Sequence, residues 1–290
     1  MSLTNKLIVI LGPTSSGKTD LSIKLAKKFS GEIVSADSRQ VYNGMDIGSG
    51  KITKKEMQGV PHHLLDVADP RNVFTVSDYQ KLAEAKIKEI ISRGKTPIIT
   101  GGTGFYIDAV TKNIVLPEVP PNKKLRARLS KKSASELFRT LQRIDPMRAR
   151  TIDKNNPVRL IRAIEITKTL GKVPKLSKSE SKFTYKKIGL KARPDDLRLR
   201  IRNRLALRLK QGMIHEVAHL HKKGLSWKRL YKLGLEYRYV SLFLQRKLSK
   251  QELVSKLETE IYRYMTRQMT WFRRDKEIKW FDAHEAINSF

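Results

Sequence analysis

At 290 residues the chain can form one sizeable core and a small second lobe. A hydrophobic content of 39% argues against a disordered chain, and the absence of cysteine excludes disulfides and thiolate zinc sites. Lys and Arg number 60 against 28 Asp and Glu, a net charge of +32 whose self-repulsion suits a polyanionic partner, although a generally basic source proteome is a plainer explanation. No apolar run approaches the roughly 18 residues of a membrane span and no signal-peptide pattern opens the chain, so a cytoplasmic protein with no membrane association is expected.

Lys6–Leu11 is an apolar run that predicts a buried strand. It leads into Gly12-Pro13-Thr14-Ser15-Ser16-Gly17-Lys18-Thr19, which meets every fixed position of G-x-x-x-x-G-K-[ST]. The glycines let the backbone curl so that N–H groups and a helix N-terminus point at an anion. Lys18 adds a cation, and the Thr19 hydroxyl is a candidate Mg²⁺ ligand. A helix over Lys18–Phe29 then crosses to a strand at Glu32–Ser35, and a helix over Ser77–Arg93 precedes a strand at Thr96–Thr100.

Strands alternating with helices define an α/β fold: a P-loop NTPase-like parallel sheet flanked by helices. Three strand ends carry polar or glycine-rich loops, at Gly12–Thr19, Asp37–Gln40 and Gly101–Gly104, and should converge on one cleft. Pro117, Pro120 and Pro121 punctuate a change of character, and Lys123–Ile144 reads as basic and helical. The expected division is a core of residues 1–113 and 156–290, with a small helical insertion domain at 114–155. The C-terminal part should be helical, with a helix at Val158–Ile166, a polar loop at Lys175–Lys182 and a strand at Lys186–Lys191. One long helix over Asp195–Lys223, helices at Leu235–Gln245 and Lys250–Phe272, and a strand at Ile278–Phe281 complete it.

Asp37, at a strand end beside the glycine-rich loop, suits a metal ligand or a general base, and equally a turn-capping aspartate. Nucleotide hydrolases often place a metal-binding acid at the end of a neighbouring strand, whereas Thr96–Thr100 runs into Gly101-Gly102-Thr103-Gly104 without one. That weakens an ATPase reading, although Asp37 could serve instead. His215-Glu216-Val217-Ala218-His219 matches H-E-x-x-H, but its cationic surroundings oppose Zn²⁺ and favour ordinary surface histidines. His62-His63 reads as loop chemistry. Arg159 with Arg162, and Arg200 with Arg204, share helix faces that either line a phosphate cleft or are solvated. Trp271 and Phe272, set among cations, suit nucleic-acid stacking but read better as core anchors.

Six stretches occur in order: Gly12–Thr19, Asp37–Gly48, Val60–Asp66, Gly101–Tyr106, Arg159–Glu165 and Arg267–Arg273. From about Leu7 to Asp282 the chain resembles the tRNA dimethylallyltransferases. The resemblance implies transfer of a dimethylallyl group from dimethylallyl diphosphate to N6 of the adenine that follows the anticodon (position 37), with Mg²⁺ as cofactor. It implies that Gly12, Pro13, Thr14, Ser15, Ser16, Gly17, Lys18 and Thr19 hold the donor diphosphate, with Arg200 reaching it and Thr19 on the metal. Asp37 would be the general base and Thr103 would face the reacting centre. Asp37, Ser38, Arg39, Gln40 and Thr103 would meet the tRNA anticodon arm, as would Arg126, Arg159, Leu160, Ile161, Arg162 and Ala163. A monomer is expected.

The chain departs from the family at Gly234-Leu235-Glu236-Tyr237-Arg238, and its insertion is short. Without cysteine it cannot carry the zinc finger of many eukaryotic members. Two other readings remain open. One is prenyl transfer to a free adenine nucleotide, for which so basic a surface is unnecessary. The other is a nucleic-acid-binding P-loop ATPase or kinase.

Overall fold

The computed structural model describes residues 6–174, 180–282 and 285–286. It contains two compact units, Met1–Asn113 with Glu180–Phe290, and Ile114–Ser179. In chain order the first unit begins β1 (Leu7–Leu11), α1 (Lys18–Lys28), β2 (Gly31–Ala36), α2 (Lys54–Met57), β3 (His62–His63), α3 (Val76–Ser92), β4 (Thr96–Gly101) and α4 (Gly104–Thr111). The second unit comprises α5 (Lys123–Leu129), α6 (Ala134–Ile144), α7 (Pro146–Ala149) and α8 (Pro157–Leu170). The first unit resumes with β5 (Tyr185–Lys191), α9 (Pro194–Lys210), α10 (Met213–Lys222), α11 (Trp227–Leu233), α12 (Leu235–Leu244), α13 (Lys250–Phe272) and β6 (Lys279–Asp282).

Six parallel strands form one sheet in the order β3-β2-β4-β1-β5-β6. All five residues of β1 are buried because the sheet is covered on both faces, and alternate side chains go to opposite layers. Leu7, Val9 and Leu11 pack with Tyr79, Ala83 and Ile87 of α3 and Ile107 of α4. Ile8 and Ile10 pack on the other face with Leu21 and Leu25 of α1. A further core joins Leu197, Ile201 and Leu205 of α9 to Leu253, Leu257 and Ile261 of α13. The β1–β4 register pairs Leu11 with Gly101, and β2–β4 pairs Ala36 with Gly101. Three neighbouring strands therefore end level, and their loops leave from one edge.

Several boundaries differ from the sequence-based expectation. The helix expected over Asp195–Lys223 is two helices, because Gly212 takes φ +98°, a left-handed conformation that glycine tolerates and that breaks the turn. Lys123–Ile144 also divides: Ser133 and Glu136 form a reciprocal capping box that starts α6 afresh. His63, expected in a loop, pairs with Val34 as part of edge strand β3. The second unit extends through Ser179 rather than ending at Asn155, because α8 contributes Leu160, Ala163 and Ile164 to a core shared with Leu129, Leu137 and Leu141. Part of the expected Lys175–Lys182 loop, residues 175–179, lies outside the described residues.

Candidate active site

The loop after β1 is built for close approach. Gly12 takes φ +149°, and a Cβ there would lie 2.6 Å from the Leu190 carbonyl oxygen. Ser15 and Gly17 also have positive φ, so the chain curls before entering α1. Lys18 Nζ donates to the Pro13 carbonyl at 2.5 Å and lies 3.5 Å from Ser16 Oγ. Withdrawal from water and then the nearby Arg204 guanidinium lower the Lys18 pKa to about 7, against an opposing pull from Asp37. Thr14, Ser15, Lys18 and Thr19 line a cavity of about 130 Å³, and Asp37 and Gln40 line the same cavity.

Asp37 stands just beyond β2. Its Oδ1 accepts from the backbone N–H groups of Arg39 (2.7 Å) and Gln40 (3.3 Å), an Asx turn that fixes the carboxylate at the cavity wall. The capping and chemical readings of this residue are thus compatible. Gln40 Nε2 donates to the Gly50 carbonyl. Ser38 N–H donates to Thr103 Oγ1 at 3.1 Å, and Thr103 N–H donates to the Ala36 carbonyl. Glycines 101, 102 and 104 are required sterically: a Cβ at each would lie 2.2 Å from Ala36 O, Gln268 Nε2 and Trp271 Cδ1 respectively.

α9 places Arg204 and Arg208 in the wall of this cavity, whereas Arg200 reaches the same loop without lining the cavity. Arg200 Nη1 lies 3.4 Å from the Ser15 carbonyl and Arg204 Nη1 lies 3.3 Å from Ser15 Oγ. Arg208 Nη1 donates to the Gly48 carbonyl (3.3 Å) and pairs with Glu236 (3.0 Å). Burial, followed by the charge of Arg208, lowers the Arg204 pKa to about 10. Burial raises the Glu236 pKa while Arg208 opposes the rise. From α13, Tyr264 and Gln268 complete the wall. Burial and the Asp37 charge raise the Tyr264 phenol to about 12, so it stays protonated at neutral pH.

Arg208, Tyr264 and Gln268 are among the lining residues that sequence reasoning missed, whereas Arg204 meets the cleft-lining alternative left open for it. A signal existed for the arginines, since positions 200, 204 and 208 share one helix face. Tyr264 and Gln268 are also one turn apart, but their spacing does not identify the loops against which α13 packs.

In the second unit, Glu165 is 1% exposed and accepts from both Arg126 and Arg162 as well as from Asn122 N–H. Burial opposes its ionisation, yet these donors hold its pKa below the usual carboxylate range. Arg159 is exposed and Ile161 half-buried, whereas the side chains of Leu160 and Ala163 lie in the core of that unit.

The H-E-x-x-H motif has a structural explanation. Glu216 accepts from the N–H groups of Asp46 (2.9 Å), Ile47 (2.6 Å) and Gly48 (3.0 Å) and from the Tyr237 hydroxyl (2.9 Å). Its carboxylate anchors a loop, and among the described residues no three or more His, Cys, Asp or Glu side chains are grouped so as to hold a metal ion. Trp271 belongs to the core, with Nε1 donating to Asp108 at 3.0 Å.

A glycine-rich loop and a carboxylate lining one cavity at the ends of parallel strands define the class as a P-loop-like α/β protein. Known proteins narrow that class. The IPP transferase family model matches residues 40–275. A tRNA dimethylallyltransferase of Anoxybacillus flavithermus is 40% identical over 282 residues, covering 96% of this chain and 90% of the relative. One from Syntrophus aciditrophicus is 44% identical, covering 98% and 97%. Among solved structures, the tRNA isopentenylpyrophosphate transferase of Bacillus halodurans superposes with TM-score 0.75 at 37% identity, covering 98% of this chain and 94% of that one. A eukaryotic dimethylallyltransferase acting on tRNA gives TM-score 0.82 at 26% identity, covering 96% and 74%. The chain belongs to the IPP transferase family and is a tRNA prenyltransferase.

Proposed function

We propose that the cavity binds dimethylallyl diphosphate and transfers its dimethylallyl group to N6 of the adenine at position 37, on the 3′ side of the anticodon. The observation that carries this reading is that Asp37 and the loop residues Thr14, Lys18 and Thr19 line one cavity. The amine nitrogen attacks the allylic carbon, the carbon–oxygen bond to diphosphate breaks, and the amine proton passes to Asp37. General-base help of this kind contributes on the order of 10²–10⁴-fold. The departing diphosphate gathers negative charge against Lys18, the arginines of α9 and N–H groups of the Gly12–Thr19 loop other than that of Thr14. Arg200, which reaches the Ser15 carbonyl, is assigned to this group.

Thr19 is exposed and lines the cavity, an environment that fits Mg²⁺, which takes few protein oxygens and keeps several waters. When bound there with the Thr19 hydroxyl as ligand, the ion would neutralise diphosphate charge.

The adenine must leave its stack to enter the cavity, which costs a few kcal/mol. Contacts to tRNA phosphates from basic side chains would repay that cost, and they would weaken with salt. Ser38, Arg39, Gln40 and Thr103 are assigned to tRNA near the reacting base. In the second unit, Arg126, Arg159, Ile161 and Arg162 are assigned to the anticodon arm, while Leu160 and Ala163 support that surface from within. No helix among the described residues is long and apolar enough to cross a membrane. Action as a monomer in the cytoplasm, where tRNA is available, fits this reading.

The test is incubation with labelled dimethylallyl diphosphate, Mg²⁺ and tRNA, in competition with AMP. Label should enter tRNA and resist AMP. Label in AMP would indicate the free-nucleotide reaction instead, and absence of label with folded protein would refute transfer.

A further inference from the structure

α13 reaches the cavity through two polar side chains one helical turn apart. Tyr264 lines the cavity, and Gln268, only 6% exposed, lines it and bridges two loops. Gln268 Oε1 accepts from Thr14 N–H at 2.9 Å, while its Nε2 donates to the Gly102 carbonyl at 2.9 Å. Thr14 lies in the loop after β1, and Gly102 lies in the loop after β4.

Those strands are neighbours, paired up to Leu11 and Gly101. Beyond that pair the ladder stops and the two loops diverge. A single amide can replace the missing rung because it carries both an acceptor and a donor. A carboxylate only accepts, and an ammonium only donates. The fit leaves no slack, since a Cβ on Gly102 would lie 2.2 Å from Gln268 Nε2.

We propose that Gln268 is a positioning residue for the transfer reaction, setting the spacing between the donor-diphosphate loop and the loop that carries Thr103. This rests on the reading that the first loop holds the prenyl donor and the second faces the adenine. Thr14 N–H is committed to Gln268, so the loop is fixed to the α13 side of the wall while Lys18 and Thr19 face the cavity. Transfer requires the amine nitrogen and the allylic carbon within about 3–3.5 Å, and a misplacement of about 1 Å costs on the order of 10²-fold. Loosening the rung therefore affects the chemical step more than either binding step.

The test uses the full chain and single-turnover transfer of labelled dimethylallyl from its diphosphate to tRNA, with rates normalised to sites counted by donor titration. Gln268→Met keeps the length of the side chain and removes both hydrogen bonds. Its rate constant per site should fall about 10- to 10²-fold, with donor affinity in the absence of tRNA changed by less than about threefold. Gln268→Glu keeps an acceptor for Thr14 N–H, and it can donate to Gly102 only when protonated. Its rate relative to wild type at the same pH should rise as pH falls, and this arm carries the test if Gln268→Met fails to fold. A purely structural glutamine would lower the melting temperature and the number of sites but leave the rate per site unchanged. That result, or a pH-independent Gln268→Glu ratio, would overturn the proposal. If wild type itself transfers nothing, the donor-site reading falls, and this proposal with it.

Discussion

Asp37 allows the chemistry to be separated from the scaffold, because its observed turn-holding role and its proposed role as base respond differently to two substitutions. Oδ1 holds the loop by accepting from Arg39 N–H and Gln40 N–H. Asp37→Asn keeps an amide oxygen for both donors and removes the basic carboxylate. Donor and tRNA binding should remain near wild type while the single-turnover rate falls about 10²–10⁴-fold, equivalent to roughly 3–5 kcal/mol of barrier. Asp37→Ala removes the acceptor as well. It should show the same rate loss plus a stability loss of about 1–3 kcal/mol, read as a melting temperature lower by several degrees. The assay is rapid-quench transfer at saturating donor and tRNA, with calorimetry on the same preparations. An Asp37→Asn enzyme within about threefold of the wild-type rate would remove Asp37 as the base, whatever Asp37→Ala did.

Lys18→Ala should weaken donor binding about 10- to 100-fold in titrations without tRNA, the loss expected for a charge-assisted contact. In wild type the Lys18 pKa is about 7 without donor, and diphosphate will raise it. Donor affinity should therefore be flat below about pH 7 and decline above it, by no more than about tenfold per pH unit, and Lys18→Ala should flatten that decline. Isothermal titration across pH 6–9 (roughly one unit below to two above the lysine pKa) checks both. Glu32 makes a separate stability prediction. Hydrogen bonding to Arg93, opposed by burial and aided by His63, lowers its pKa to about 2 from 4.5. A depressed carboxylate stabilises the fold above its unfolded pKa, and that contribution is lost as pH falls from about 4.5 toward 2. Because Arg93 is partly exposed, the contribution is about 2–3 kcal/mol at neutral pH. Urea midpoints at pH 7 and pH 3 should converge more in Glu32→Gln than in wild type (about that energy apart).

The parallel sheet was legible because β1, β2 and β4 are short apolar runs and each ends in a loop of distinctive composition. That pattern also located the cavity, since Thr14, Ser15, Lys18 and Thr19 of the first loop and Asp37 and Gln40 of the second line its wall. The helical region was less legible. Apolar periodicity continues through Gly212, and only its positive φ shows that α9 and α10 are separate. β3 has two residues and no alternation to detect. α8 has the spacing of a core helix, and spacing cannot say which core it joins. Gln268 is the clearest case of a residue hidden from sequence reading. Its hydrogen bond to Gly102 spans 166 positions, and a buried glutamine on an amphipathic helix gives no local sign of its two partners. Glu216 is the reverse case. Its motif matches a zinc-site pattern that the cationic surroundings already argued against, and three backbone N–H groups and a tyrosine hydroxyl occupy the carboxylate.

In the proposed reaction a diphosphate loop and a carboxylate together prenylate an adenine in tRNA. Its most direct test is mass spectrometry of nucleosides and anticodon-arm fragments from tRNA treated with purified protein, dimethylallyl diphosphate and Mg²⁺. The predicted product is N6-dimethylallyladenosine at the position immediately 3′ of the anticodon, formed together with released diphosphate and lost in Asp37→Asn. Unmodified tRNA recovered from an incubation with folded, donor-binding protein would contradict the account.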